Sequence, residues 1–133
     1  MPDFVHLHVH SHFSLLGGLT KIKPLVKAAK QRGFKALALT DYGSLYGAIE
    51  FYQACQKEGI KPIIGFEAFL APNGHLSKQP RVDNKATHLV LLAETYDGYK
   101  NLMRLSTIGH LDGFYYRPRI DKELLRAHSE GII

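Results

Sequence analysis

From Phe4 to Val9 the chain alternates apolar residues and histidines with period two (Phe4-Val5-His6-Leu7-His8-Val9), the pattern of a strand with two unlike faces. On such a strand Phe4, His6, His8, His10 and His12 share one face, and Val5, Leu7 and Val9 share the other. Gly17-Gly18 marks a turn. Ile22, Leu25, Val26 and Ala29 then recur at helical spacing, which predicts a helix capped by Thr20 and ended by Gly33. Phe34 to Thr40 is a short apolar strand. Asp41 to Ser44 is a loop in which Ser44 can cap a second helix, Leu45 to Lys57, stopped at Gly59. Pro62 to Leu70 predicts a third strand.

The stretch 72–87 is polar, contains Asn73-Gly74 and Pro80, and predicts an exposed loop. His88 to Ala93 is a fourth strand. Tyr96 to His110 predicts a helix on Tyr99, Leu102, Leu105 and Ile108. Phe114 to Arg119 is an aromatic and basic loop, Ile120 to His128 a short helix with Asp121 near its start, and Gly131-Ile132-Ile133 the first step of a fifth strand. Strands alternating with helices predict an α/β fold with parallel pairing and right-handed crossovers. A closed (β/α) barrel needs ~200–250 residues, so this pattern predicts part of one: a single, truncated domain over 1–133.

Composition narrows the class. The 133 residues are 45% hydrophobic and 22% charged, which suits a packed core and argues against wholesale disorder. Met1-Pro2-Asp3-Phe4 lacks the basic and apolar regions of a secretory leader. No apolar run reaches the ~18 residues of a membrane span, so no membrane partner is expected. The lone Cys55 forms no internal disulfide and no Cys-rich zinc site; at helical spacing from Ala48, Phe51 and Tyr52 it reads as a buried, inert thiol. Reducing cytoplasm is the expected compartment. Seventeen Lys and Arg against twelve Asp and Glu give a formal charge of +5, a mild lean toward anionic partners. The lysines around the first helix read as its solvated face.

The unusual feature is the histidine count: eight in all, with His6, His8, His10 and His12 inside seven residues. In α/β architectures, sites form at the C-terminal ends of parallel strands. The predicted first strand ends in His8-Val9-His10-Ser11-His12, the second in Thr40-Asp41-Tyr42, and the third carries Glu67. An H-x-H step on a strand sets two imidazoles on one face about 7 Å apart at Cα. Two such nitrogens with a carboxylate from a neighbouring strand suit Zn²⁺, Mn²⁺ or Fe²⁺ better than Ca²⁺. A histidine-rich polar strand face is the other reading of the same pattern.

His8-Val9-His10-Ser11 followed by Phe13-Ser14-Leu15-Leu16 resembles the first motif of the PHP (polymerase and histidinol phosphatase) family. Further runs extend the resemblance in order: A-L-T-D-x-G-x-L-Y-G-A-I-E-F-Y, G-I-K-P-I-I-G-x-E, G-Y-K-N-L-M-x-L and G-F-Y-Y-R-P-R-I-D. Within the family, the chain is similar to the N-terminal module of bacterial DNA polymerase III alpha subunits along essentially its whole length. The resemblance implies a distorted seven-stranded (β/α) barrel, of which this chain supplies roughly the first half. It also implies a place in DNA replication within a DNA-directed DNA polymerase. The polymerase domains, with their Mg²⁺, would lie outside this chain. The implied partners are the remainder of the alpha chain, DNA, a proofreading subunit and a sliding clamp.

The resemblance places metal ligands at His8 and His10, at Glu67 in G-x-E, and at His88, with Zn²⁺ or Mn²⁺ as the divalent metal. His6 precedes the motif and reads as strand surface; His88 also reads as a surface histidine at a strand start. Two positions depart from the family. Its S-L-L-D-G is Ser14-Leu15-Leu16-Gly17-Gly18 here, and its T-D-H-G is Thr40-Asp41-Tyr42-Gly43. Both replaced side chains serve a third metal position, so that position is expected to be weak or empty, with His12 as a candidate substitute. The implied function is therefore a polymerase module with a partly degenerate phosphoesterase or proofreading site. Alternatives are a free-standing phosphoesterase resembling histidinol phosphatase and a non-catalytic structural platform. Asp41 reads either as catalytic or as a loop or capping residue. Tyr115, Tyr116, Arg117 and Arg119 read either as a nucleic-acid surface, carried by Tyr116, Arg117 and Arg119, or as an internal packing loop.

Overall fold

The computed structural model describes residues 4–133. The reading of the first residues as lacking a leader falls largely on Met1, Pro2 and Asp3, outside the described residues. Four helices and four strands follow one another: α1 (Ile22–Gln31), β1 (Ala36–Tyr42), α2 (Ala48–Glu58), β2 (Lys61–Leu70), β3 (Thr87–Leu92), α3 (Tyr96–Leu111), β4 (Arg119–Ile120) and α4 (Lys122–Ala127). β1 and β2 pair in parallel from Ala36↔Lys61 to Tyr42↔Glu67, and β4 continues parallel to β2 at Phe69 and Leu70. The architecture is α/β, a partial barrel.

Paired residues share a face, and the alternation divides the sheet cleanly. Leu37, Leu39 and Asp41 of β1 face the same side as Ile64, Phe66 and Ala68 of β2. On that side α1 and α2 bury Ile22, Val26, Phe51 and Cys55 against Leu37 and Leu39. There α3 buries Leu102 and Leu105 against Phe66, Ala68 and Leu91. Each such large apolar side chain contributes about 1.5–3 kcal/mol by leaving water. The opposite face, free of helices, carries Tyr42, Glu67, Phe69 and His88.

Three expectations need correction. β3 is antiparallel to β2, from Gly65↔Leu92 to Leu70↔Thr87. A parallel return needs a crossover, usually helical; residues 72–86 contain no helix and turn the chain back instead. As expected, that loop is exposed at most positions, and it is organised around one buried carboxylate. The Asp83 carboxylate is fully buried and accepts from Asn73 Nδ2, Ser77 Oγ and the Gln79 amide at 2.6–2.9 Å.

The segment predicted as a first strand is extended but forms no continuous ladder. The Ala38 amide donates to His6 O and the Thr40 amide to Val9 O, so three steps on one chain answer two on the other. This bulge-like offset rotates the side chains between them. His6 therefore turns to Phe34 on the helix side, with ring centroids 5.2 Å apart, and does not share a face with His8 and His10.

The third correction concerns helix caps. α1 starts after Lys21 with no side-chain cap, so Thr20 lies one residue outside the cap position, where its carbonyl accepts from the His12 amide. α2 starts after Gly47, leaving the buried Ser44 hydroxyl without a partner. Asp121 does cap α4, accepting from the Leu124 amide. Gly131 to Ile133 pairs antiparallel with the end of β3 through Ala93↔Ile132. Among the described residues no helix is long and apolar enough to cross a membrane.

Candidate metal centre

Glu67 lies near the C-terminal end of β2 on the helix-free face, with its side chain 6% exposed. One carboxylate oxygen, Oε2, is 2.5 Å from His8 Nε2 and 2.5 Å from His10 Nε2. The other, Oε1, is 2.7 Å from His88 Nδ1. The sheet register explains the meeting: His88 stands opposite Phe69 on β3, on the Glu67 face, and the offset in the first segment turns His8 and His10 onto that face. Burial works to raise the Glu67 carboxyl. Hydrogen bonds from His8, His88 and His10, and the charge of His8, outweigh it and hold Glu67 below the usual carboxylate range.

The donor chemistry fits a divalent transition metal. One ligand atom each from His8, His10 and Glu67 lies within 4.8 Å of the others. Two imidazole nitrogens with a carboxylate oxygen form a set suited to Zn²⁺, Mn²⁺ or Fe²⁺. His88 stands on the far carboxylate oxygen and outside that three-residue set. Cys55 is remote, and burial pushes its thiol up to about 11, as an inert core thiol requires.

A buried network holds the histidine segment. Asp41 is 1% exposed. Its Oδ1 accepts from the Ser11 amide (2.6 Å) and Ser14 Oγ (2.7 Å), and its Oδ2 from Ser11 Oγ (2.8 Å). Ser14 Oγ in turn accepts from the Tyr42 amide at 3.0 Å. Asp41 thus acts through the backbone next to His10 and faces away from the ligand cluster. Nothing in the local sequence announces this beyond three small polar residues, because the partners are 27 and 30 positions away.

The two departures from the family pattern touch each other. A Cβ at Gly17 would stand 2.6 Å from Tyr42 Cε2. The Tyr42 ring packs on His10 (centroids 4.0 Å) and stacks with Phe69 (5.7 Å, 18°). Its edge contact with His88 is at 5.7 Å. The ring occupies the room that a side chain at 17 would need. His12 lies outside the cluster, packed on Phe13, with a buried Nδ1 that has no partner.

The aromatic–basic loop divides. Arg119 is 1% exposed and is corrected from a nucleic-acid contact to a structural residue. Its guanidinium donates to the carbonyls of Gly113, Asp83, His75 and Ser77 at 2.7–3.0 Å, tying the 72–86 loop to β4. Sequence alone could not reveal this, since three of the four acceptors are backbone atoms of a distant loop. Tyr116 is 75% exposed, and Arg117 lies with its guanidinium 4.9 Å over the Phe69 ring.

Comparison with known proteins adds the family context. The PHP domain family matches residues 6–133. The chain is 52% identical over 131 residues to DNA polymerase III subunit alpha of Borreliella burgdorferi and 48% identical over 137 to that of Aquifex aeolicus. In both cases 98% of the chain is covered, but only 11% and 12% of the relative's length. Among solved structures, it superposes on a proposed metal-dependent phosphoesterase from Bifidobacterium adolescentis with a TM-score of 0.57 at 17% identity, over 81% of this chain and 34% of that one. An amidohydrolase from Chromobacterium violaceum superposes with a TM-score of 0.56 at 22% identity, over 79% and 32%. These two likenesses concern the fold.

Proposed function

The chain belongs to the PHP domain family, and from that premise we propose that it is the first part of the PHP module of a replicative DNA polymerase III alpha subunit. In this reading residues 1–133 are one truncated domain, and His8, His10 and Glu67 hold a divalent metal with His88 as an auxiliary ligand. The convergence of His8 and His10 on a single Glu67 oxygen carries the proposal. Zn²⁺ or Mn²⁺ is the expected ion, with Mg²⁺ serving the polymerase domain elsewhere in the protein. The expected partners are the rest of the alpha chain and DNA, with a proofreading subunit and a sliding clamp in the assembled replicase. The expected compartment is the cytoplasm.

A metal held there supplies Lewis-acid polarisation of a phosphoryl oxygen. The chain's own groups do the rest. Glu67 would neutralise positive charge, with Oε2 facing His8 and His10 and Oε1 held by His88. His10, 15% exposed at its side chain, forms the inner wall, while His8 and His88, 57% and 43% exposed, stand at the mouth. Asp41, through Ser11, fixes the backbone from which His10 projects.

A second reading, a structural platform without hydrolysis, is favoured by one observation: Tyr42 fills the space beside Gly17, at the two positions where the family resemblance implies an Asp and a His ligand. A free-standing phosphatase is disfavoured by the length of the polymerase-like match. The test is the full-length protein on a primed DNA template. Extension with Mg²⁺ that survives His8→Ala, while that variant loses bound Zn²⁺ or Mn²⁺, is the expected result. No extension by the wild type contradicts the polymerase assignment.

A further inference from the structure

We propose that Arg117 is the anion-recognition residue of the His8–His10–Glu67 site, donating to two non-bridging oxygens of a phosphoryl group; this rests on the metal-site reading above. The argument starts from the backbone that presents it. Arg119, two residues on, is buried and bound to four carbonyls. Pro118 sits over Gly43 so closely that a Cβ there would be 2.7 Å from Pro118 Cγ. Gly43 also has φ +60°, a conformation that glycine adopts without strain. On the other side, Tyr115 and Arg117 bridge across Tyr116, with the Tyr115 amide donating to Arg117 O at 3.1 Å. Tyr116 is held at φ +60°, a conformation that costs a non-glycine residue about 1–3 kcal/mol and persists only where the surroundings impose it. Arg117 is thus pinned between a strained turn and a buried anchor.

The loop places it over Phe69, the ring that borders His88. The guanidinium lies 4.9 Å over the Phe69 ring, and Phe69 meets the His88 ring edge-on at 4.9 Å. The same Phe69 ring stacks on Tyr42, which packs on His10. Two ring contacts therefore separate the guanidinium from His88, and three separate it from His10. A guanidinium held over an aromatic face by cation–π attraction keeps its N–H donors for other acceptors. Among the described residues no carboxylate pairs with Arg117, although it is exposed. It stands as an unneutralised cation over the ring that meets His88. A guanidinium fork matches a phosphoryl group, whose paired non-bridging oxygens accept two parallel N–H bonds. The group can belong to a terminal monoester or to a diester within a strand.

The experiment titrates inorganic phosphate, thymidine 5′-monophosphate and the dinucleotide TpT calorimetrically into wild type, Arg117→Gln and Arg117→Lys. Each titration is run with Mn²⁺ and with chelator, and bound metal is assayed separately. The expected result is a loss of about ten- to hundredfold in phosphate affinity for Arg117→Gln, the scale of hydrogen bonds to a charged group. Arg117→Lys should recover part of it, and bound Mn²⁺ should be unchanged. Loss on the monoester alone assigns a terminal phosphate and loss on TpT alone an internal diester; either supports Arg117. Unchanged affinity for all three probes in Arg117→Gln overturns the proposal. Absence of Mn²⁺ from the wild type overturns the metal-site reading instead, and the chelator arm then decides Arg117 by the same criterion.

Discussion

Adding one methyl group at Gly17 should destabilise the chain, and removing the Tyr42 ring should erase that cost. The Cβ of Gly17→Ala would meet Tyr42 Cε2 at 2.6 Å and Cδ2 at 3.1 Å, against an optimal carbon–carbon separation of about 3.5–4.0 Å. The ring cannot simply swing aside. His10 lies against one side at 4.0 Å and Phe69 stacks at 5.7 Å, so displacement is passed to a ligand histidine and to the support of Arg117. Overpacking of this kind costs about 1–3 kcal/mol. A melting temperature lower by several degrees is expected, since 1 kcal/mol is worth about 2–8 °C in domains of this size range.

Thermal melts of wild type, Gly17→Ala, Tyr42→Ala and the double variant form the test. The double variant should be more stable than the sum of the single effects allows, by about 1–2 kcal/mol, because neighbours in contact are not additive. The functional counterpart follows from the same contact. Gly17→Asp alone should bind no additional metal, because Tyr42 blocks it. Gly17→Asp with Tyr42→His should add a metal equivalent by elemental analysis. Wild-type stability in Gly17→Ala, or strict additivity, would refute the steric coupling.

Two further outcomes are expected. Asp121, an N-cap bonded to His75, has its carboxyl held at about 2: burial opposes this, but the Leu124 amide and the His75 ring and amide outweigh it. A carboxyl depressed on folding stabilises above its unfolded value of 3.8 and loses that contribution as pH falls toward 2. Acid titration should therefore cost wild type about 2 kcal/mol more than Asp121→Asn between pH 5 and pH 2, and parallel curves would contradict it. Asp41→Asn replaces one of two accepting oxygens with a donor facing Ser11 and Ser14, so it should cost about 1–3 kcal/mol and weaken metal binding through His10. Unaltered metal affinity in a folded Asp41→Asn chain would limit Asp41 to stability.

The ligand candidates were readable in sequence because each rests on a local signal: alternation around His8 and His10, a glutamate two residues past Gly65, and a histidine opening an apolar run. The same alternation misplaced His6, because a single-residue offset against β1 cannot be seen in a period-two pattern. Antiparallel β3 escaped for a related reason. Pairing direction is decided by the 72–86 loop, whose order depends on Asp83 and on Arg119 reaching carbonyls 36–44 positions away. Composition marked Arg117 and Arg119 alike as solvent-facing cations; only the packing separates the buried anchor from the exposed guanidinium on Phe69. Tyr42 and Gly17 were each visible as departures, but their mutual contact is a property of the fold.

The central claim, that His8, His10 and Glu67 hold a divalent metal, is tested most directly by calorimetric titration of Zn²⁺ and Mn²⁺ into wild type, His8→Ala, His10→Ala and Glu67→Gln. The account predicts saturable binding in the wild type. It also predicts a loss in each variant greater than the roughly 10–100-fold cost of removing a supporting hydrogen bond, with His88→Ala affected less, since His88 stands on the far carboxylate oxygen. Equal affinity in wild type and in His8→Ala, His10→Ala and Glu67→Gln would contradict it and return the histidine cluster to a polar strand face.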